Sequence, residues 1–248
     1  MIAEICISGR PTPGLLLAIY QRLMDRYGPQ HWWPAEEPFE VIVGAILTQS
    51  AAWSNVEKAL GNLKSANKLS AASIRKLPLA DLAKLVFPSG YYNAKAKKLK
   101  AISEWLGEYD DDLSRLDSRP RVELRQELLN VYGIGQETAD AILLYALQRP
   151  TFVIDAYTRR LFTQLGVSPE RDSYEGWRAL FMDNLPNDTA LFSEYHALIL
   201  KHGKDKCRKW ARCEGCCLGE DCPASKVHPS TRGERIDVMS SAISTRPR

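Results

Sequence analysis

No apolar run in the 248 residues approaches the roughly 18 that a membrane-spanning helix needs. The best stretch, residues 15–20, is cut off by Gln21 and Arg22. A secretory leader is not indicated: a basic flank is missing, and Pro11 and Pro13 precede the apolar residues. Strand-like patterns are equally scarce, with "TFVI" at 151–154 the one example, and no internal repeat stands out. Net charge is small, +3, which permits a nucleic-acid partner without arguing for one. These absences point to a cytoplasmic, all-α protein of one large or two small domains. A hydrophobic fraction of 45% and a charged fraction of 25% are ordinary for a chain with a real core.

Helical periodicity fills the space that strands leave empty. It predicts helices over residues 15–27, 39–63, 70–77, 79–86, 94–108, 121–131, 136–148, 155–165, 173–185 and 189–203. The 39–63 stretch is expected to break near Ser50 and resume at Ser54, an N-cap with Glu57 as its capping-box partner. "HWWPAEEP" and "PSGYYN" read as loops. Residues 226–248 are polar and rich in Ser, Thr, Pro and Arg, the composition of a disordered tail.

Two of the helices are joined by "YGIGQETAD". A dinucleotide loop would need a preceding strand and a third glycine, and both are missing. Gly133 and Gly135 instead permit positive φ and a close backbone approach. The amides opening the second helix then face outward and attract an anion such as a phosphate. A plain C-cap glycine accounts for the pattern equally well. Further on, "FVIDAYTRRLF" puts Asp155 at the head of a helix. It reads as an N-cap, a role compatible with an ionised carboxylate stabilising a developing sugar cation. Arg159 and Arg160 follow, either for phosphate or for solvent.

Six cysteines are present, and five fall within residues 207–222. Such clustering without a leader suggests metal before disulfides. Cys207-x5-Cys213-x2-Cys216-x5-Cys222 lacks the two close knuckles usual for structural zinc and suits a cuboidal [4Fe-4S] cluster, with zinc the alternative and Cys217 a substitute for Cys216. Lys204, Lys206, Arg208, Lys209 and Arg212 surround the cysteines, as a solvated face or as phosphate contacts.

In this order, "LTQS", "GIGQETADAIL", "VIDAYTRRL" and "HGKDKC" with the four cysteines resemble the helix-hairpin-helix DNA glycosylase superfamily, endonuclease III branch, over about residues 15–222. "HWWPA", "LTQSAAW" and "PSGYYNAKAKKL" look closest to the 3-methyladenine DNA glycosylase III group. The resemblance implies a six-helix domain over 31–149 with its hairpin at about 122–148. It implies a second domain of 1–30 plus 150–225 carrying the cluster loop 207–222. DNA would lie between them. It further implies a base pocket of Trp32, Trp33, Pro34 and Trp53, catalysis by Asp155, and DNA contacts from Gln49, Ser50, Gly133, Gly135, Gln136 and Thr138. Gln49 and Ser50 would fill the stack that a flipped base vacates.

Two departures matter. The first cysteine gap is five residues where endonuclease III has six, which loosens the inference to cluster geometry. Glu137 stands where bifunctional relatives carry the lysine whose amine forms a Schiff base. Unless Lys97, Lys201 or Lys204 substitutes, the chain is expected to excise a base without cutting the backbone. The expected function is a monomeric, monofunctional glycosylase for alkylated purines in double-stranded DNA. The alternatives are a glycosylase for oxidised pyrimidine, uracil or mismatched thymine, and a non-catalytic iron–sulfur DNA-binding module.

Overall fold

A computed structural model describes residues 12–227; Cys6 and positions 228–248 of the predicted tail lie outside them. The described residues are helical with no strand, and no helix among them is long and apolar enough to cross a membrane. Helix α1 (Pro13–Tyr27) starts where the Thr12 hydroxyl accepts the Leu15 amide and stops at Gly28, φ 67°. Its Leu16, Ile19 and Leu23 are buried at helical spacing. Helix α2 (Pro38–Leu47) is buried from Glu40 onward, with Glu40 neutralised by Lys64 at 2.8 Å.

The break at Ser50 is present, with that residue at φ 53°. The restart is not at Ser54. Helix α3 (Trp53–Ser65) begins one residue earlier, at Trp53, with Ala52 in the cap position and no side-chain cap bond. The indole of Trp53 packs at 4.7 Å on Trp32, so ring burial outweighs a hydroxyl cap worth about 1 kcal/mol. Helices α4 (Ala71–Lys76), α5 (Leu79–Leu85) and α6 (Tyr92–Gly107) follow, and a 3₁₀ turn (Phe87–Ser89) separates the last two. The buried ammonium of Lys95 donates to the carbonyls of Leu47 (2.8 Å) and Ser89 (2.7 Å), tying the end of α2 to that turn.

Helices α7 (Arg121–Asn130) and α8 (Gln136–Ala141) form the hairpin. The expected helix to Gln148 is not regular. After Ala141 it widens into a π turn, Ile142–Ala146, with the Leu147 amide bonded to the Ile142 carbonyl at 3.0 Å. Thr151, Phe152, Val153 and Ile154 are buried but pair with no strand. Burial on every side explains their strand-like apolar run.

Helices α9 (Ala156–Gln164), α10 (Tyr174–Met182), α11 (Thr189–Asp205) and the short α12 (Pro223–Val227) complete the described chain. The N-terminal helix joins this late group. The Tyr195 hydroxyl donates to the Leu16 carbonyl at 2.8 Å, and Arg22 pairs with Asp221.

The hairpin is anchored by a carboxylate with no exposure at all. Asp140 accepts two bonds from Arg125 (2.9 and 3.0 Å) and one from the Thr151 hydroxyl (3.0 Å), with Arg178 at 3.6 Å. Burial would weaken the Arg125 cation, but the bonds to Asp140 and Glu175 outweigh it and hold the charge. Replacing Asp140 by Ala should leave two largely buried guanidinium groups with the half-exposed Glu175 as their remaining counter-charge and lower stability by on the order of 3 kcal/mol. Urea unfolding checks this, and a loss below 1 kcal/mol would refute the anchoring role.

Candidate active site

The hairpin turn uses its two glycines differently. Gly133 has φ 82°, and a Cβ there would lie 2.3 Å from Cγ of Lys98, whose stem crosses the turn. Gly135 is extended, φ −95°, and caps α8 with open space around it. Positive φ is thus required at one glycine only, and close approach is possible at the other. Gln136 and Glu137 are exposed, with the Gln136 amide on Glu175 at 3.1 Å.

Gln49 does not hang free from its turn. Its Nε2 donates to the Gly133 carbonyl (3.1 Å) and the Thr138 hydroxyl (2.9 Å), and its Oε1 accepts from Lys98 (2.5 Å). The predicted contact residues Gln49, Gly133 and Thr138 are therefore bonded to one another, and Thr138 is buried. Ser50 is exposed beside them.

The tryptophans converge. Ring centroids lie 5.1 Å apart for Trp32 and Trp33, 4.7 Å for Trp32 and Trp53, and 5.5 Å for Trp33 and Trp53. Adjacent residues are expected to diverge, yet both indole N–H groups of Trp32 and Trp33 are buried, without a hydrogen-bond partner. Space for Trp33 comes from Gly44, where a Cβ would stand 2.9 Å from Cζ2 of that ring. Pro34 is exposed at the rim.

Trp33 also packs on Tyr145 of the π turn, 5.5 Å between centroids. The Tyr145 oxygen lies 2.7 Å from Nδ1 of His196 on α11. Nε2 of His196 in turn faces Oδ2 of Asp155 at 3.6 Å. At that length the pair is an electrostatic contact and not a formed hydrogen bond.

Asp155 caps α9 as expected, its Oδ1 accepting the Thr158 amide at 2.7 Å. Burial pushes its carboxyl up, but His196 and Thr158 more than offset this and hold it below the ordinary carboxylate value. The carboxyl of Glu137 is raised, first by burial of the carboxyl itself and then by the charge on Asp155, although the residue as a whole is exposed. One carboxylate is thus ionised in the interior, and a second, more easily protonated, stands near it. Lys97, Lys201 and Lys204 are all exposed. His196 and Tyr145 escape sequence reasoning: each looks like one more residue on a buried helical face.

The two arginines after Asp155 each have an acceptor within the protein. Arg159 pairs with Asp172 at 2.9 Å, while Arg160 donates to the Cys207 carbonyl at 2.7 Å and braces the cysteine loop. Cys207, Cys213, Cys216 and Cys222 line one small cavity, together with His202, Leu161 and Leu218. Cys217 is not in that lining and lies within reach of the Arg22 and Arg26 charges on α1. Among the described residues no three potential ligands converge closely enough to hold a metal ion. Burial pushes the Cys207 thiol up to about 11 and His202 down to about 4. Of the loop cations, Lys206 bonds the Glu214 carbonyl, Arg208 bonds the Lys204 carbonyl and Lys209 sits over Trp210.

A protein of Methanocaldococcus jannaschii, itself assigned only provisionally as a DNA repair glycosylase, is 46% identical over 211 residues, covering 84% of this chain and 96% of its own length. Endonuclease III of Thermotoga maritima is 28% identical over 75% of this chain and 83% of its own. Among solved structures, the H. pylori 3-methyladenine DNA glycosylase bound to 1,N6-ethenoadenine superposes with a TM-score of 0.64 at 30% identity, over 77% of this chain and 96% of that one. A trapped endonuclease III–DNA covalent intermediate shares the fold, with a TM-score of 0.75 at 21% identity, over 88% of this chain and 99% of that one. The sequence profile of HhH-GPD superfamily base excision DNA repair proteins matches residues 43–187, and with these relatives it establishes that the chain belongs to that superfamily.

Proposed function

We propose that this superfamily member is a monofunctional DNA N-glycosylase that releases alkylated, 3-methyladenine-type purines from double-stranded DNA. The observation that carries the reading is the union of three indoles with an ionised, buried Asp155 through Tyr145 and His196. The relative crystallised with an ethenoadenine, at 30% identity, supports it.

The target nucleotide leaves the stack at a cost of a few kcal/mol. The amides around Gly133 and Gly135 grip the backbone, and Ser50 with the Gln49 turn faces the gap. Alkylation at ring nitrogen makes a purine cationic and its glycosidic bond weak. A cation over an indole face gains about 0.5–2 kcal/mol that a neutral purine does not. Trp32, Trp33 and Trp53 supply that face, with Pro34 at its edge. The C1′–N bond then breaks with its electron pair going to the base, which departs neutral. Asp155, already charged, stabilises the cationic sugar. Water adds to C1′, and Asp155 takes its proton. Glu137 offers no amine, so no Schiff base forms and the backbone stays intact.

The cysteine loop is proposed to carry a [4Fe-4S] cluster held by Cys207, Cys213, Cys216 and Cys222. Four thiols around one cavity are the donor set such a cluster takes, and Cys216 lines that cavity while Cys217 does not. Bound there, the cluster would serve as a covalent brace for a loop without a core of its own. Arg160 would hold the loop from beneath, and the basic residues of the loop would then meet the DNA on a fixed surface.

Incubation with a panel of lesion-bearing duplexes tests the reaction. The expected outcome is release of methylpurines, with strand breaks appearing only after hot alkali. Release of pyrimidines alone, or binding without release, would overturn the reading. Asp155→Asn should cut release by at least a hundredfold and leave DNA affinity within a few-fold; unchanged activity would remove Asp155 from the chemistry. Protein purified without oxygen should be brown and contain iron and acid-labile sulfide, both reduced by Cys213→Ser. Stoichiometric zinc without sulfide would replace the cluster with the zinc alternative.

A further inference from the structure

The one proton of Tyr145 has two acceptors in reach, Nδ1 of His196 at 2.7 Å and the Ser193 carbonyl at 3.2 Å. If it goes to Ser193, Nδ1 must carry a hydrogen to keep the 2.7 Å contact. A neutral ring would then aim the Nε2 lone pair at the Asp155 carboxylate. If it goes to Nδ1, the neutral ring carries its hydrogen on Nε2, facing Oδ2. The second arrangement uses the shorter contact, avoids repulsion and buries no extra charge. It also answers the one unpartnered polar atom of the ring, since Nε2 is buried with no hydrogen-bond partner. His196 is only 6% exposed, so water does not readily fill that role.

We infer that His196 is a positioning residue: its Nε2–H orients Oδ2 of Asp155 toward the sugar, and the Tyr145 hydroxyl fixes the tautomer that makes this possible. Oδ1 is already held by the Thr158 amide, so the two contacts together fix the plane of the carboxylate. Glu137, exposed as a residue, carries the other nearby carboxyl, which burial and Asp155 raise and which the same ring and, more weakly, Arg159 lower. Glu194, two residues before His196, accepts the Gln30 backbone amide, and its charge adds to that of Asp155 in holding the Tyr145 hydroxyl protonated. Tyr145 touches Trp33 on its other side. A base pressed against Trp33 therefore bears on the same hydroxyl that sets the histidine. The catalytic part of this inference rests on the glycosylase reading; the tautomer and the carboxyl do not.

Two measurements separate them. Nitrogen NMR of the histidine-labelled full chain at neutral pH should show His196 protonated at Nε2 and bare at Nδ1, and Tyr145→Phe should erode that preference. A proton on Nδ1 in the wild-type ring would overturn the assignment. Carbon NMR of the Asp155 carboxyl should show its titration moving upward in His196→Leu, and in Tyr145→Phe if the leucine variant does not fold. An unmoved titration would leave His196 a packing residue. In single-turnover base release, His196→Leu should slow the step by on the order of tenfold to a hundredfold with DNA affinity unchanged. His196→Gln, which keeps a donor, should recover part of the rate. Beside Asp155→Asn the leucine substitution should cost nothing more, and additive losses would argue against a shared action. If the wild type releases no base from any lesion, the proposed function fails, and the two NMR results still decide the histidine.

Discussion

A carboxylate inside a helical protein needs its compensation close at hand, and two such groups organise this chain. Asp140 and Asp155 stand at the two ends of a stretch whose π turn and apolar residues 151–154 are buried on either side of a surface turn at Gln148. Asp140 is met by guanidinium groups from α7 and α10. Asp155 is met by a helix N-terminus and an imidazole. The difference decides their uses. Full pairing by cations makes Asp140 a fixed rivet. Partial compensation by dipoles leaves Asp155 with an unspent negative charge, the property that a developing cation requires.

The aromatic side of the site follows a similar economy of space. Trp33 lies against the backbone of α2 because Gly44 carries no side chain, and that placement leaves Trp53 and Trp32 to close over it. The rings make edge and tilted contacts with one another in the free chain. On the proposed function, a base entering this group would exchange indole–indole contacts for indole–base contacts, so a neutral base would gain little net energy. Charge on the base supplies a surplus that burial alone does not. On the proposed function, selectivity then comes from the difference between two stacked states and not from the depth of a hole.

Much of the architecture was legible because its signals are local. The hairpin glycines, the Asp155 cap and the helix breaks at Gly28 and Ser50 each announce themselves within a few residues. The fourfold cysteine spacing was equally visible, although spacing alone gave no metal geometry. What stayed hidden depends on partners far apart in sequence. Tyr145 meets His196 across 51 positions, and Arg160 reaches the Cys207 carbonyl across 47. Arg159 and Arg160 looked free for phosphate because a sequence cannot tell which arginine already has an acceptor. Ser54 failed as a cap because the packing of the Trp53 ring, a tertiary effect, moved the helix start. Regular periodicity also concealed the π turn, since one extra residue in a turn leaves the apolar pattern nearly unchanged.

The clasp of Gln49 has a further consequence. Its amide spans two hairpin positions while its oxygen holds Lys98, and freeing it would forfeit three bonds worth about 0.5–1.5 kcal/mol each. The turn after α2 and the hairpin turn are therefore jaws of one caliper and not independent fingers. Whatever lies between them is met at a single, preset width. On the proposed function, a DNA strand gripped there would have to bring its own spacing to the protein, so that distortion of the strand, more than adjustment of these loops, would set the cost of engagement.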